Sequence, residues 1–332
     1  MELIEKNDSR RIDFVDEFLP GGKLYGFRKI IDKAKADNFP LELCFRGNSG
    51  NMAVIYYNNH RFFILQKSKG YFTLSIIFNH AKYTFGWEKL QDQLINELGF
   101  INKDGYMICK GVDLQDDEFI LKVYEIMKLI FIDYFDKNKQ TNEFRRLKNN
   151  RMKPVYIEKI RQQELMRNLN NIDNGYFVYN LEFQQAHKNK EEKEKDKSNN
   201  KPDMLAVKFS DRKPEKLIFI EVKSTRKSCG GKSGFDKHRD CMIEYINQKK
   251  KLSVRKKEAC GIINDYAKLQ LRGLVKDYVL SESQFVNLDV EILFIFTDEA
   301  ILFYNKHIDE CKSKERITYA LYDEKQTKLP IM

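Results

Sequence analysis

The chain has 332 residues, 42% of them hydrophobic and 13% aromatic, and carries a net charge of +10. That length and apolar content suit a folded protein of about two domains. Six cysteines (44, 109, 229, 241, 260 and 311) stand far apart with no CxxC pair, which excludes a zinc knuckle or a small disulfide scaffold. Five histidines, with no HExxH or paired spacing, argue against transition-metal chemistry.

No run approaches the roughly 18 uncharged apolar residues that a membrane-spanning helix needs. The most apolar helical stretch, 123–135, carries Glu125, Lys128 and Asp133. The opening MELIEKNDSRR has no apolar signal region, so the cytoplasm is the expected location and no membrane partner is expected. The charge is unevenly divided. Residues 1–150 hold 23 Lys and Arg against 21 Asp and Glu, whereas residues 151–332 hold 36 against 28. A basic second half favours phosphate polymers as partners, with salt-dependent binding.

In chain order, short strand-like runs at 41–46, 53–57, 61–67 and 71–79 are separated by Gly, Asn and Ser turns and predict an antiparallel meander. Helical periodicity follows at 87–98 and over 114–136, where Phe119, Val123, Ile126, Ile130 and Tyr134 recur at three and four residues. The polar stretch 141–153 reads as a connector. The expected division is an N-terminal domain of antiparallel sheet plus helices over 1–145 and a second domain over 150–332.

The second domain begins with a predicted helix at 154–169 and a strand at 176–183. The segment 186–201, AHKNKEEKEKDKSNNK, has the mixed charge of a solvated loop. Strands at 204–209 and 217–224 come next. Helices are expected at 237–250 and about 262–275, and strands at 290–297 and 301–305. This order predicts an α/β (α+β) domain with a sheet of mixed direction.

The connection SDRKPEK between strands 204–209 and 217–224 is short enough only for an antiparallel hairpin. Reflection about residue 212 or 213 puts Asp203 opposite Glu221 or Lys223, and alternation puts Glu221 and Lys223 on one face. The run LIFI before Glu221 is continuously apolar, so these charges emerge from a buried strand. A strand-end Glu–Lys pair beside a turn aspartate would give the same pattern without function. Two carboxylates and a lysine at one point also suit a hard cation. The carboxylates and the Val222 carbonyl can ligate Mg²⁺, which activates water and neutralises charge on phosphate, while lysine orients the water or a phosphate oxygen.

Pro202-Asp203 followed by Glu221-Val222-Lys223 on the next strand resembles the PD-(D/E)XK nuclease superfamily, in order and in hairpin placement. The resemblance covers about residues 154–305 and rests on a short, degenerate motif. It implies a restriction-endonuclease-like core that hydrolyses phosphodiester bonds with Mg²⁺, or Mn²⁺ in its place. It assigns metal binding to Asp203 and Glu221 and a catalytic role to Lys223. Many such nucleases also carry a glutamate on the preceding helix. On a wheel of 100° per residue Glu158 falls at about 300° from Val155, amid Leu165, Met166 and Leu169, whereas Glu164 falls at about 180°. Glu158 is therefore the preferred fourth catalytic residue, with Glu164 and Glu182 as alternatives.

Beyond Lys223, the loop to Gly234 is Gly-rich and basic, suited to phosphate contact. It does not meet GxxxxGK[ST], which disfavours nucleotide hydrolysis. His238, at the start of the next helix, could touch phosphate but reads first as a capping or surface histidine. Lys249 to Lys257, KKKLSVRKK, is a second basic run. The expected function is a metal-dependent nuclease, with DNA favoured over RNA as partner and a role in restriction or defence against foreign DNA. The alternative is a non-catalytic nucleic-acid-binding protein on the same fold. The N-terminal domain is expected to recognise or regulate, or to dock a second copy or another protein.

Overall fold

The structure is a computed structural model that describes residues 11–39, 41–45, 51–57, 60–68, 71–77, 87–103, 106–110, 116–129, 154–170, 175–181, 202–230, 234–311 and 316–322. The connector at 141–153, the charged segment 186–201 and Glu182 lie outside these residues. Two units divide the chain, residues 1–152 and 153–332. Among the described residues no helix is long and apolar enough to cross a membrane.

In the first unit, helix α1 (Tyr25–Ala36) precedes strands β1 (Leu41–Phe45), β2 (Met52–Tyr57), β3 (His60–Ser68) and β4 (Tyr71–Ile77). Helix α2 (Trp87–Asp92) runs into a π-helical turn at Gln93–Glu97, and β5 (Ile101–Lys103) and β6 (Tyr106–Lys110) follow. The six strands form one antiparallel sheet in the order β1-β2-β3-β4-β6-β5. Alternation explains its core. Phe63, Leu65, Phe72, Leu74 and Ile76 are buried, while Ile64, Gln66, Thr73 and Ser75 between them are half-buried. Edge-on ring pairs, Phe14–Phe18 at 5.5 Å and Phe18–Phe45 at 5.7 Å, fill the buried side. Helical residues 117–129 begin where Asp116 Oδ1 accepts the Glu118 and Phe119 amides, an N-cap. The four expected strands correspond to β1–β4, whereas α1, β5 and β6 were not anticipated.

The second unit is built from α3 (Pro154–Leu169), β7 (Tyr176–Leu181), β8 (Met204–Ser210) and β9 (Lys213–Lys223), then α4 (Arg226–Cys229), α5 (Phe235–Ile246), α6 (Lys249–Lys268), α7 (Glu282–Val286), β10 (Asp289–Thr297), α8 (Ala300–Cys311) and β11 (Ile317–Tyr322). Its five-stranded sheet has the order β11-β10-β9-β8-β7. Strands β7, β8 and β9 pair antiparallel, whereas β10 lies parallel to both β9 and β11. Parallel neighbours need crossovers, supplied here by α4–α7 and by α8. Central β9 is buried without interruption from Leu217 to Lys223. The chain is thus an α/β protein with one antiparallel and one mixed sheet.

Three local expectations are corrected. Residues 301–305 are helical: Ala300 and Tyr304 are buried four apart while Leu302 is 72% exposed, the period of a helix face rather than of a strand. The strand expected there is β11 instead, at Ile317–Tyr322. Helix α6 starts at Lys249 rather than near 262 and ends at Lys268, beyond which Gln270 and Arg272 adopt left-handed backbone. The KKKLSVRKK run is consequently the first half of a long helix, whose buried residues begin at Glu258.

The β8–β9 hairpin sets the register of the site. Asp211 and Arg212 have φ of 48° and 62°, the two left-handed residues of a type I′ turn, and Tyr278 Oη steadies the turn by donating to the Arg212 carbonyl at 2.6 Å. Pairing shifts between Lys208↔Lys216 and Phe209↔Pro214, so Glu215 is the extra residue of a bulge beside a proline that has no N–H to give. Beyond the bulge Met204 pairs with Ile220, and the same register carried one residue further sets Asp203 opposite Glu221.

Candidate functional site

Strand β9 delivers Glu221 and Lys223 to the end of the sheet, two residues apart and on one face. Both are enclosed, with 1% and 2% of their surface exposed, and Lys223 Nζ donates to Glu221 Oε1 at 2.6 Å. Asp203 lies just before β8. Its Oδ2 accepts the Val222 amide at 2.7 Å, so a side chain continues the ladder where β8 stops. An extended residue points its N–H and C=O to the same side, which turns the Val222 carbonyl toward Asp203 as well.

Two helices add to this group. Glu158, on the first turns of α3, is half-buried and lies in the field of Lys223, Glu221 and His238, with a hydrogen bond to the Ser228 side chain. Ser228 is itself fixed by a reciprocal cap with Thr225 at the start of α4. Glu164, the other helix candidate, is engaged elsewhere: it pairs with Arg161 at 2.6 Å, and Arg161 also grips Asp298. From α5, His238 Nδ1 lies against Glu221 Oε1 in ion-pair contact, though not aligned as a hydrogen bond. Glu221 Oε2 is buried and has no hydrogen-bond partner.

Three carboxyl groups, Glu221 enclosed and Asp203 and Glu158 half-buried, therefore meet one lysine and one histidine. The electrostatics follow. Burial, then the charges of Glu221 and Glu158, push the Asp203 carboxyl well above its ordinary range, against the pull of Lys223 and the Val222 amide. Burial raises Glu158 too, with Glu221 adding to it. For Glu221, burial is outweighed by Lys223 and His238, which hold it below the ordinary value. Burial alone would lower Lys223, but Glu221, Asp203 and Glu158 keep its charge firmly on.

This surplus of negative charge and the unpartnered Oε2 fit a hard divalent cation in donor chemistry. Among the described residues no three Asp, Glu, His or Cys side chains are drawn together as a ready cage. Mg²⁺ does not need one, since it binds through one or two carboxylates and keeps several waters. Asp203, Glu221 and the Val222 carbonyl are the groups that would hold it.

All four side chains singled out as catalytic in the sequence, Asp203, Glu221, Lys223 and Glu158, fall in this one neighbourhood. His238 and Ser228 were not assigned to it. Helical spacing alone gives His238 no distinction, because its contact depends on how α5 crosses the sheet. Comparison of the chain with protein-family models, with curated proteins and with solved structures finds no match.

Proposed function

We propose that the second unit is a divalent-metal-dependent nuclease that hydrolyses phosphodiester bonds, with DNA as the first substrate to test. The observation that carries this reading is the convergence of two half-buried carboxyls, Asp203 and Glu158, on a buried Glu221 that has one oxygen without a hydrogen-bond partner, beside a lysine held charged. A group meant only to stabilise the fold would balance its charges, because an uncompensated buried carboxylate costs several kcal/mol by rough estimate. The resemblance of Pro202-Asp203 and Glu221-Val222-Lys223 to the PD-(D/E)XK pattern agrees with it, as does the order of helix, antiparallel meander and parallel strand.

Each side chain then has a task. Asp203 and Glu221 present oxygens to the cation, with the Val222 carbonyl beside them. Bound there, Mg²⁺ or Mn²⁺ would make a water acidic enough to attack phosphorus and neutralise charge on the phosphate. Lys223 orients that water or a phosphate oxygen. Glu158, whose proton is held more tightly than an ordinary glutamate's, can exchange a proton with the site. Exposed Arg226 and Lys227 follow directly and can contact neighbouring phosphates.

A second reading has one observation in its favour. The Lys223–Glu221 contact closes part of the site on itself, as it would in a nucleic-acid-binding protein that no longer cuts. Incubation with duplex DNA, single-stranded DNA and RNA, each with Mg²⁺, Mn²⁺ or EDTA, separates the two. Cleavage that needs the cation supports the nuclease, and binding without cleavage in either metal supports the second reading. A role in restriction or in defence against foreign DNA is the biological setting this activity would suit.

A further inference from the structure

Of the four side chains given catalytic tasks, Glu158 alone comes from a helix, so its reach into the site depends on how α3 is seated. Its hydrogen bond with the Ser228 side chain steadies the carboxyl, but a bond at the tip of a long side chain does not fix the helix that carries it. Three residues on, and hence beside it on the helix surface, stands Arg161. Its Nε and Nη2 donate to Asp298 Oδ2 and Oδ1, both at 2.9 Å, a fork that fixes direction as well as distance. Its Nη1 donates to Glu164 Oε2 at 2.6 Å, within the same helix. The Arg161 side chain is only 12% exposed. Burial alone would weaken its hold on the proton, but the bonds to Asp298 and then to Glu164 outweigh that and keep it charged.

Asp298 is placed by the sheet. Strand β10 runs parallel to β9 with Phe296 opposite Lys223, so Asp298 lies two residues past the level of that lysine, at the same end of the sheet as the candidate site. Its φ of 50° is left-handed backbone, which aspartate tolerates better than most residues, and there the chain turns from β10 toward α8. The far end of α3 is tied down as well: Asn168 Nδ2 donates to Tyr322 Oη at 2.8 Å, and Asn170 Oδ1 accepts the Val178 amide at 2.8 Å. Arg161 ties the helix within one turn of Glu158. We propose that Arg161 is a positioning residue for the nuclease reaction: its paired bonds to Asp298 seat α3 against the end of β10 and so set where the Glu158 carboxyl stands relative to Lys223. The inference rests on the metal-dependent reading above. What distinguishes this ion pair from the many that contribute little is its place, since its two bonds join the helix that bears one reacting group to the strand beside the one that bears another. The bond from Arg161 to Glu164 stays within α3 and cannot seat the helix on the sheet.

The test is steady-state cleavage of duplex DNA, single-stranded DNA and RNA by the full chain in Mg²⁺ or Mn²⁺, with kcat and KM measured on the nucleic acid that is cut. Arg161→Lys keeps the charge but not the fork, and Asp298→Asn keeps the shape and the tolerance of left-handed backbone. Each should lower kcat by about tenfold and leave KM within about twofold, since a displacement of about 1 Å at a reacting group can cost up to about 10²-fold. Made in the Glu158→Gln background, the same changes should lower kcat by less than about twofold more, because a residue that acts through Glu158 then has nothing left to position. Far-ultraviolet dichroism checks that each variant folds, and where one does not, the other carries the comparison. A merely structural tether would lower cleavage by the same factor in both backgrounds. That result, or wild-type kcat in both single variants, overturns the inference while metal-dependent cleavage stands. If Glu158→Gln cleaves as wild type does, the inference fails together with the role of Glu158. If wild type cuts none of the three with either cation, the metal-dependent reading itself fails and takes the inference with it.

Discussion

The two ends of β9 carry the same pair of residue types in opposite circumstances. At its outer part, Lys216 Nζ pairs with Glu291 on β10 at 2.8 Å, their side chains 32% and 17% exposed, and Thr318 also reaches Glu291. These line an open cavity of about 540 Å3 together with Lys256 and Arg316. Lys256 donates to the Val286 carbonyl. At the inner end, Lys223 and Glu221 pair at 2.6 Å with 3% and 2% exposed, and two further carboxylates bear on them. Charge alone does not separate a site from a sheet edge. Burial together with unequal charge does, because the imbalance costs stability and needs a reason.

The widest split between the ends should appear in cleavage. Asp203→Ala and Glu221→Ala each remove a proposed cation ligand and should lower metal-dependent cleavage by about 10²–10³-fold or more, with the far-ultraviolet dichroism unchanged. Retention of wild-type rates in both would remove the inner end from any catalytic role. Lys223→Ala should be as damaging to cleavage yet leave Mn²⁺ binding nearly intact, since the ammonium acts on phosphate or water rather than on the ion.

A smaller loss, roughly 10–100-fold, is expected for Glu158→Gln, which keeps the shape and the hydrogen-bonding capacity toward Ser228 but not the titrating carboxyl. Glu164→Gln serves as its control. Its partner is Arg161, so cleavage should stay within about twofold. Equal losses from the two would show that the effect comes from packing of α3 and not from the site.

How far these positions can be read in the sequence depends on how local their cause is. The Asp203–Glu221 pairing follows from hairpin reflection, but Lys223 remained an equal alternative until the turn was located at Asp211–Arg212 and the bulge at Glu215. Glu158 emerges from helical geometry because the apolar neighbours that define its face are on the same helix. His238 does not, since Gly234 and Phe235 make sense only once α5 is laid over β10 and α4. Residues 301–305 mislead for a related reason: Ile, Leu, Phe and Tyr satisfy strand propensity in a five-residue window, and only the burial of Ala300 with Tyr304 reveals the helix. The resemblance to the nuclease superfamily spans this unit only, so the six-stranded sheet of the first unit carries no functional assignment.

Stability should report the imbalance without any substrate. In EDTA, Asp203→Asn keeps an oxygen for the Val222 amide and removes a carboxyl whose ionised form the crowded end disfavours, so it should stabilise the protein more at pH 8 than at pH 5. The sign follows from Asp203. Its folded pKa is raised, so its contribution favours the folded state at low pH and is lost as pH rises through that raised value. The gain in the variant should therefore shrink as pH falls toward the ordinary 3.8. Glu221 works the other way: its depressed pKa gives stability present above 4.5 and lost in acid, in wild type and variant alike. Melting temperatures of both proteins at pH 5 and pH 8 separate the two, and a pH-independent difference would contradict the charge surplus.

The least effect belongs to the outer end. Lys216→Met keeps an apolar stem of similar length and removes one member of the Glu291 pair. The Lys216 pKa is raised first by the hydrogen bond it donates to Glu291, against a partial burial that lowers it, so the charge is matched rather than in excess. Solvent screens a pair of this exposure, and Thr318 remains to occupy Glu291. The expected cost is at most about 1 kcal/mol in thermal or urea unfolding, declining further in high salt. Cleavage should be unaltered, because the pair lies several residues along β9 from Glu221 and shares no partner with it. A drop in cleavage as large as that of Glu158→Gln, in a variant that unfolds like wild type, would mean that the two ends are coupled through β9 and that the site extends over the whole strand.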